Sequence, residues 1–454
     1  MENYNGYLKS KLGKHRIINW INFINFIKEE SDRSIQKLFK EANMYKNKIN
    51  TKIDVIKNLK YDEYINLDEI VKELEDLGLD KNHDMFQNKY IKNQVNLNNN
   101  YLKNKTEVLT KKDSNDINID KILNSKLGIY NNGNTCFINS ILQILIHSNI
   151  FIKEFILYKS KYIYNNNTLS YHFYNLLNEI NDMINRKEKK INIIKFILFI
   201  RNTYSLYIDV MQNDSQEFLR IILEEFNKEL NRNNNKTPYK MIFADDNSKL
   251  SLQKEFNKLF LEREDSIIID IFYIEIINLF KCECNHITYS FEKKLDLPQL
   301  IPNNLVNAFK ISDILDYNFK KEIVQFTKKC NICGFIKNHE KMQKISILPR
   351  ILILSIQRID NNTGRKNDCP ISIEEKLNIE DYIDEDFIDS SKSIIYKLYG
   401  IIIHEGRVNY GHYKSFIRLN SYKWFEFNDD KILECYDDIQ DISNAYSLFY
   451  IKLD

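Results

Sequence analysis

Apolar residues recur every three or four positions through the first half of the chain, and at every second position through much of the second half. A period near 3.6 draws one apolar stripe along a helix, and a period of 2 gives a strand one apolar face. Ile17, Trp20, Ile21, Ile24 and Ile27, widened by Phe23 and Phe26, predict a helix close to the start. Ile35, Leu38, Ala42, Tyr45, Ile49, Ile56 and Leu59 fit the a and d positions of a heptad, broken by Lys52. A third helix is predicted from Asn66 to Leu77, with Asn66 as its cap, Glu69 returning a capping-box bond and Gly78 ending it. Residues 93–120 are polar and carry no period, so they read as a linker. Helical spacing returns over 136–148, 170–185, 191–208 and 213–230. Asn213 or Asp214 can cap the last of these, with Glu217 in its first turn. Over 267–280, and beyond 345, the pattern becomes alternating and rich in Ile, Tyr and Phe, as strands are. The segments 396–406, 411–419, 423–429 and 446–453 are the clearest examples.

Helices followed by antiparallel strands predict an α+β domain with its active site between the two parts. The chain then divides into a helical N-terminal region over 1–92, a linker over 93–126 and a larger folded domain over 127–454. The N-terminal helices predict a small bundle, or a coiled-coil arm able to bind a further, unknown protein. A chain of 454 residues with 43% hydrophobic content can build a large core. A net charge of +2 gives no reason to expect nucleic acid or an anionic membrane as partner. The opening residues lack an apolar signal core, and the most apolar stretches are interrupted by Lys195, Arg201 and Arg350. The expectation is a soluble protein of the cytoplasm or nucleus, with no membrane partner.

Seven cysteines, four of them in two tight pairs, change the picture. An odd count with close pairs favours metal ligation and catalysis over disulfides in a reducing compartment. Cys136 follows a Gly-Asn-Thr turn and begins an apolar helical pattern. A thiol there faces the positive end of the helix dipole, which favours thiolate. Far along the chain, His412 lies in an aromatic-rich, strand-like segment. A cysteine activated by a distant histidine is the arrangement of a cysteine hydrolase. Acyl transfer also needs donors aimed at the developing oxyanion. The Asn131 side-chain amide and the Cys136 backbone N–H are suitably placed in the sequence to supply them. The base needs a partner that orients its ring. Asn428 and Asp429 are the candidates, carried back beside His412 by a strand, a turn and a returning strand.

Read together, these segments resemble the ubiquitin-specific protease family of cysteine deubiquitinases. The resemblance rests on six ordered motifs: GIYNNGNTCFINSILQ (128–143), QNDSQEFL (212–219), LPRILILSIQRI (348–359), HEGRVNYGHY (404–413), WFEFND (424–429) and YSLFYI (446–451). It covers roughly 127–454. It implies a papain-like fold with a helical thumb, an antiparallel β palm and β fingers that include 267–345. It also implies an enzyme that hydrolyses the bond after the C-terminal glycine of ubiquitin, with ubiquitin and ubiquitinated proteins as partners. By position, Cys136 becomes the nucleophile, His412 the general base, Asn428 the residue orienting it, with Asp429 contributing, and Asn131 the oxyanion donor. Asp214 and Glu217 become candidates for holding ubiquitin's basic tail, for which carboxylates near the cleft have a physical rationale of their own. Helix capping is the other role open to them. Gly411 and Tyr413 would line the tail's path. Tyr410 departs from the family, which has a small residue there, and its ring would narrow the cleft. A module that binds ubiquitin without cutting it, and a protease for another ubiquitin-like modifier, are the competing readings.

Cys282-x-Cys284 and Cys330-x-x-Cys333 have the spacing of a four-thiolate structural zinc site, each pair on a turn. The first pair departs from Cys-x-x-Cys, and His286 could replace one ligand. Four free thiols are the alternative. Cys369 and Cys435 lack a partner pattern and read as structural.

Overall fold

The computed structural model describes residues 117–453, except 163, 205–211, 234–243, 246–248, 303–308, 326–328, 360–363, 390–392, 409, 420–422, 436–441 and 443. The helices expected over 1–92 lie outside the described residues. The described chain opens with α1 (Ile119–Leu123), β1 (Gly128–Ile129), α2 (Cys136–Ile146), α3 (Asn149–Leu157), α4 (Leu169–Asn185), β2 (Lys190–Ile191), α5 (Ile194–Thr203) and α6 (Ser215–Glu229). The apolar stripes of these helices face one core. Phe151, Phe155, Phe173, Phe218 and Phe226 are essentially inaccessible within it. Side-chain caps start several of the helices. Ser148 accepts from Phe151 N–H, Thr168 from Tyr171 N–H, and Asp214 from the N–H groups of Gln216 and Glu217. Helix α1 lies inside the stretch read as linker. Ile122 and Leu123 are buried, and Asn118 N–H donates to Asn181 Oδ1 (3.2 Å), so the folded unit begins at Ile117. Five apolar or capping positions among the ten residues 117–126 were too short a signal to separate from a linker.

The second half continues with β3 (Ala244–Asp245), α7 (Lys249–Leu261), α8 (Ile267–Phe272), β4 (Ile274–Cys282), β5 (Ile287–Lys294), β6 (Leu297–Leu300), β7 (Phe309–Lys310) and α9 (Ile311–Phe319). Then come β8 (Glu322–Gln325), β9 (Asn338–Ile347), β10 (Ile351–Gln357), β11 (Ile371–Ser372), β12 (Lys376–Asn378), β13 (Ile395–Arg407), β14 (Tyr410–Arg418), β15 (Trp424–Asn428), β16 (Lys431–Glu434) and β17 (Ala445–Lys452). The central sheet runs β16-β15-β14-β13-β17-β10-β6, with β12 also on β13. Its pairs are antiparallel except β10 with β6. Helix α2 packs against β13, β14 and β15. A second sheet, β3-β5-β4-β9-β8, projects beyond. This is the helices-then-strands arrangement expected.

Two segments depart from expectation. Ile267–Phe272 is helix α8, because Ser266 Oγ accepts from the N–H groups of Ile268 and Ile269, and a run apolar at all but one position has no period to read. The fingers are also discontinuous. Between β5 and β8 the chain returns to the body, where Leu297, Phe309, Ile311, Ile314 and Leu315 are buried in the core beneath the central sheet.

Candidate active site

The loop before Cys136 is wound around the side chain of Asn131. Its Oδ1 accepts from Thr135 N–H (3.1 Å) and Oγ1–H (3.3 Å), while Asn132 N–H donates to Thr135 Oγ1 (2.9 Å). Gly133 (φ 84°) and Asn134 (φ 52°) take left-handed conformations that Gly and Asn tolerate best, and so turn the chain into α2. All eleven residues of α2 are buried, so the cysteine at its head is fixed by the core. Its backbone N–H is among the first four amides of the helix, which have no intrahelical acceptor.

Strand β14 brings His412 to this helix. Its Nε2–H donates to Asn428 Oδ1 (2.7 Å) on β15, and its ring also makes a hydrogen bond with the Cys136 side chain. That bond is the main reason the His412 pKa is pushed up to about 9, with Asn428 and the Asp429 charge adding to it against the opposing effect of burial. Asn428 is itself held by donating to Glu426 Oε1 (3.3 Å).

Asp429 ties the two halves together. It sits in a left-handed turn (φ 51°), where its Oδ2 accepts from Asn131 Nδ2 (2.9 Å) and its Oδ1 from Asn139 Nδ2 (2.8 Å). Its carbonyl accepts from Ile129 N–H (2.9 Å), and its carboxylate lies 3.9 Å from His412 Nε2. The approach is close enough that a Cβ on Gly128 would lie 2.6 Å from the Asp430 carbonyl oxygen. A glycine is therefore needed where β1 meets this turn. In this way Asn131, Cys136, His412, Asn428 and Asp429, separated in sequence, form one cluster.

The other site residues fall around it. Asp214 caps α6 through its Oδ1 (2.7 Å to Gln216 N, 3.1 Å to Glu217 N), and its Oδ2 accepts from Tyr446 Oη–H. Glu217 is exposed in the first turn. Tyr413 is buried, its ring 4.6 Å from His404 and 5.7 Å from Tyr446. Tyr410 is 56% exposed at the start of β14. Gly411 is bonded on both sides of its backbone to Gln212, which accepts from its N–H (2.9 Å) and donates to its C=O (2.8 Å). Gln212, Asn139 and Tyr446 were not singled out in the sequence. Asn139 could have been found, because it stands three residues after Cys136 on the same helix face.

The four cysteines form a separate centre. Their sulfurs all lie within 4.8 Å of one another, with Cys284–Cys330 at 3.7 Å and Cys282–Cys333 at 4.0 Å. Cys282 ends β4 and Cys284 lies in the turn to β5, while Cys330 and Cys333 lie in the β8–β9 connection. Left-handed Asn285 (φ 68°) and Gly334 (φ 72°) close the two turns. His286 is not part of the grouped donor set, so the quartet can hold a metal ion with sulfur alone. Among the described residues no single helix is long and apolar enough to cross a membrane.

The family model described as "Ubiquitin carboxyl-terminal hydrolase" matches residues 127–450. Ubiquitin carboxyl-terminal hydrolase 21 of Homo sapiens is 26% identical over 356 residues, covering 71% of this chain and 61% of that protein. Ubiquitin carboxyl-terminal hydrolase 5 of Saccharomyces cerevisiae is 25% identical over 376 residues, covering 72% and 45%. The matched region thus spans about three fifths or less of these relatives' length. A chain of the SAGA Ubp8/Sgf11/Sus1/Sgf73 DUB module bound to ubiquitin aldehyde shares the fold, with TM-score 0.57 and 23% identity over 79% of this chain and 75% of that one. With the family model matched over residues 127–450, this chain belongs to the ubiquitin carboxyl-terminal hydrolase family.

Proposed function

We propose that the protein is a thiol-dependent ubiquitinyl hydrolase, cleaving isopeptide or peptide bonds after the C-terminal glycine of ubiquitin. The observation that carries this reading is the position of His412, bonded to Asn428 Oδ1 at 2.7 Å and within hydrogen-bonding reach of the Cys136 side chain. In the reacting pair the sulfur gives its proton to the imidazole, which holds a proton up to about pH 9. The sulfur attacks the glycine carbonyl, and the proton on His412 passes to the leaving lysine amine. Water then attacks the thioester, with His412 taking its proton and the sulfur leaving. Asn428 keeps the ring in line. The Asn131 side-chain amide has two N–H groups, and donating one to Asp429 leaves the second for the oxyanion beside the Cys136 backbone N–H.

Asp214 already accepts from two backbone amides and Tyr446, so the exposed Glu217 is the freer of the two carboxylates to pair with ubiquitin's basic tail. The backbone at Gly411 borders the tail's path, and Tyr413 supports it from the interior. The cysteine quartet holds a structural zinc ion. A tetrahedron of Zn–S bonds of about 2.3 Å has edges of about 3.8 Å, which the paired sulfurs match, and thiolate is the donor zinc prefers in structural sites. Activity in the cytoplasm or nucleus fits seven cysteines with no disulfide among them. The test is hydrolysis of a fluorogenic amide of the ubiquitin C-terminus. Wild type should cut it and Cys136→Ala should not; an inactive wild type, or an active Cys136→Ala, overturns the reading.

A further inference from the structure

We propose that Gln212 is a positioning residue for His412: its side-chain amide acts as a second strand edge for the Gly411 peptide and fixes the backbone from which the base projects. This rests on the proposed role of His412. Strand β15 pairs with β14 only over 415–418, so β13 is the strand that accompanies β14 at Gly411 and His412. Gln212 supplies a second grip there, taking the Gly411 N–H at 2.9 Å and giving its own N–H to the Gly411 carbonyl at 2.8 Å. The pattern is that of two residues in an antiparallel ladder, made by one side chain.

The other side of Gly411 is closed by His404. A Cβ on Gly411 would lie 1.9 Å from His404 Nε2 and 2.6 Å from its Cε1. The glycine therefore lets an imidazole lie directly on the main chain, and that ring is backed by Tyr413 and Tyr446. Gln212 has equally firm footing. Two residues on, Asp214 caps α6 and accepts from Tyr446 Oη–H. Gln216 Nε2 then donates to the carbonyls of Tyr446 (2.8 Å) and Ile356 (3.2 Å), which fastens the start of α6 to β17 and β10. Gln212 thus connects the helical half to the strand that carries the base. Cys136, on α2 in the same half, and His412 keep their mutual position because this bridge spans the cleft between them.

Three variants test it in the full chain. Gln212→Ala removes both bonds but little buried surface, because the residue is only half-buried. Turnover of a ubiquitin C-terminal amide should fall about 10²-fold, the loss expected for a displacement near 1 Å, with KM within about twofold and an unchanged melting temperature. The alkaline limb of its pH profile should move down from about 9 toward 6.5 as the imidazole leaves the sulfur. Gln212→Glu keeps the shape and still accepts from Gly411 N–H, but an ionised carboxylate cannot donate to the Gly411 carbonyl. Its rate relative to wild type should therefore rise as pH falls toward about 4.3, where the carboxyl regains a proton. Gln212→Asn, too short to reach both groups, should resemble alanine. A residue that only fills space would leave Gln212→Glu equal to wild type at every pH. Wild-type kcat with an unmoved alkaline limb in Gln212→Ala overturns the proposal. Iodoacetamide alkylation of Cys136 across pH reads the same sulfur–imidazole contact without ubiquitin. If the wild type fails to cut the ubiquitin amide, the functional reading falls, and the alkylation profile of Gln212→Ala alone decides the clamp: a shift upholds it and an unchanged profile overturns it.

Discussion

Cys136 heads a helix whose eleven residues are all buried, whereas Cys282, Cys284, Cys330 and Cys333 sit at the far end of a sheet whose outer strands are largely half-exposed or exposed. The first site is placed by a core of tens of apolar side chains that reaches to the cysteine itself. The second has a small satellite core, Leu252, Phe256, Ile277, Leu279 and Phe291, which supports only the base of the projecting sheet. One thiol is free to react because packing holds it. The other four, with Cys282 and Cys330 buried and Cys284 and Cys333 half-buried, meet from two turns where they can be cross-linked. The salt bridge from Lys337 to Glu283 (2.9 Å) joins the same two turns but is exposed and worth little.

The comparison breaks most sharply on chemistry. His412→Ala should lower turnover about 10³- to 10⁴-fold, the upper part of the range for a general acid–base, and leave the melting curve nearly unchanged. Cys136→Ala should reduce it to background. Kinetics on the ubiquitin amide beside calorimetry checks both, and a His412→Ala variant with wild-type turnover would place the base elsewhere. The quartet should show the reverse pattern. Removing metal with a chelator, or Cys284→Ser, should melt the outer end of the projecting sheet at lower temperature. Metal binding of this kind contributes on the order of 10 kcal/mol to the folded state. Hydrolysis should weaken through KM rather than kcat. About one zinc per chain by elemental analysis is expected, and an unchanged melting curve after chelation would remove the cross-link from the account.

How legible each region was in the sequence follows the same division. The apolar pattern located α2, α4, α6 and the strands β13, β14, β15 and β17 closely, because each packs against a large core, while β10, buried on both faces, was marked by the resemblance of 348–359. The cysteine pairs were legible because their spacing is local. What the sequence did not reveal depends on tertiary placement. Ile267–Phe272 is apolar at every position but one, so only the Ser266 cap distinguishes helix from strand. Residues 297–302 and 309–319 join the core of the body rather than the sheet that holds the cysteine quartet, a choice made by that core. Gln212 bonding Gly411 is a long-range polar contact that no spacing announces, and the spacing of Asn139 from Cys136 marks its helix face but not its partner Asp429. Tyr413 follows the base directly in sequence, but strand alternation turns its ring inward to His404 and Tyr446.

A smaller effect distinguishes the cleft's interior from its mouth. His404 is buried with its Nδ1 lacking a hydrogen-bond partner, and burial, helped by the Lys366 ammonium, pushes its pKa down to about 4. Between about pH 6.5 and 4 the unfolded imidazole carries a proton that the folded one does not, so each fall in pH favours unfolding. Wild-type stability should decline over that window, on the order of 1–3 kcal/mol from this residue. Urea denaturation at pH 7, 5.5 and 4.5 should show His404→Gln losing less stability on acidification than wild type. Parallel curves would mean that His404 is protonated in the fold.

The smallest expected effect tests whether the cleft's polar links are redundant, as the quartet's four ligands are not. Asn428 Oδ1 is 2.7 Å from His412 Nε2 and the Asp429 carboxylate 3.9 Å. Asp429 is also pinned by the amides of Asn131 and Asn139, so it can approach the ring only by loosening one of them. Asn428→Ala should therefore cost about 10-fold in kcat, well short of the His412→Ala loss, because a weaker acceptor remains beside the ring. Its alkaline limb should shift down, since Asn428 contributes to the raised His412 pKa. Asp429→Ala keeps the Asn428 bond but frees Asn131, so its loss should fall on oxyanion stabilisation and leave that limb closer to wild type. Measured pH profiles of kcat for the two variants decide it. Equal losses with identical limbs would mean that Asn428 and Asp429 act as one unit, and the cleft would then depend on each of its polar links as strictly as the metal centre depends on each sulfur.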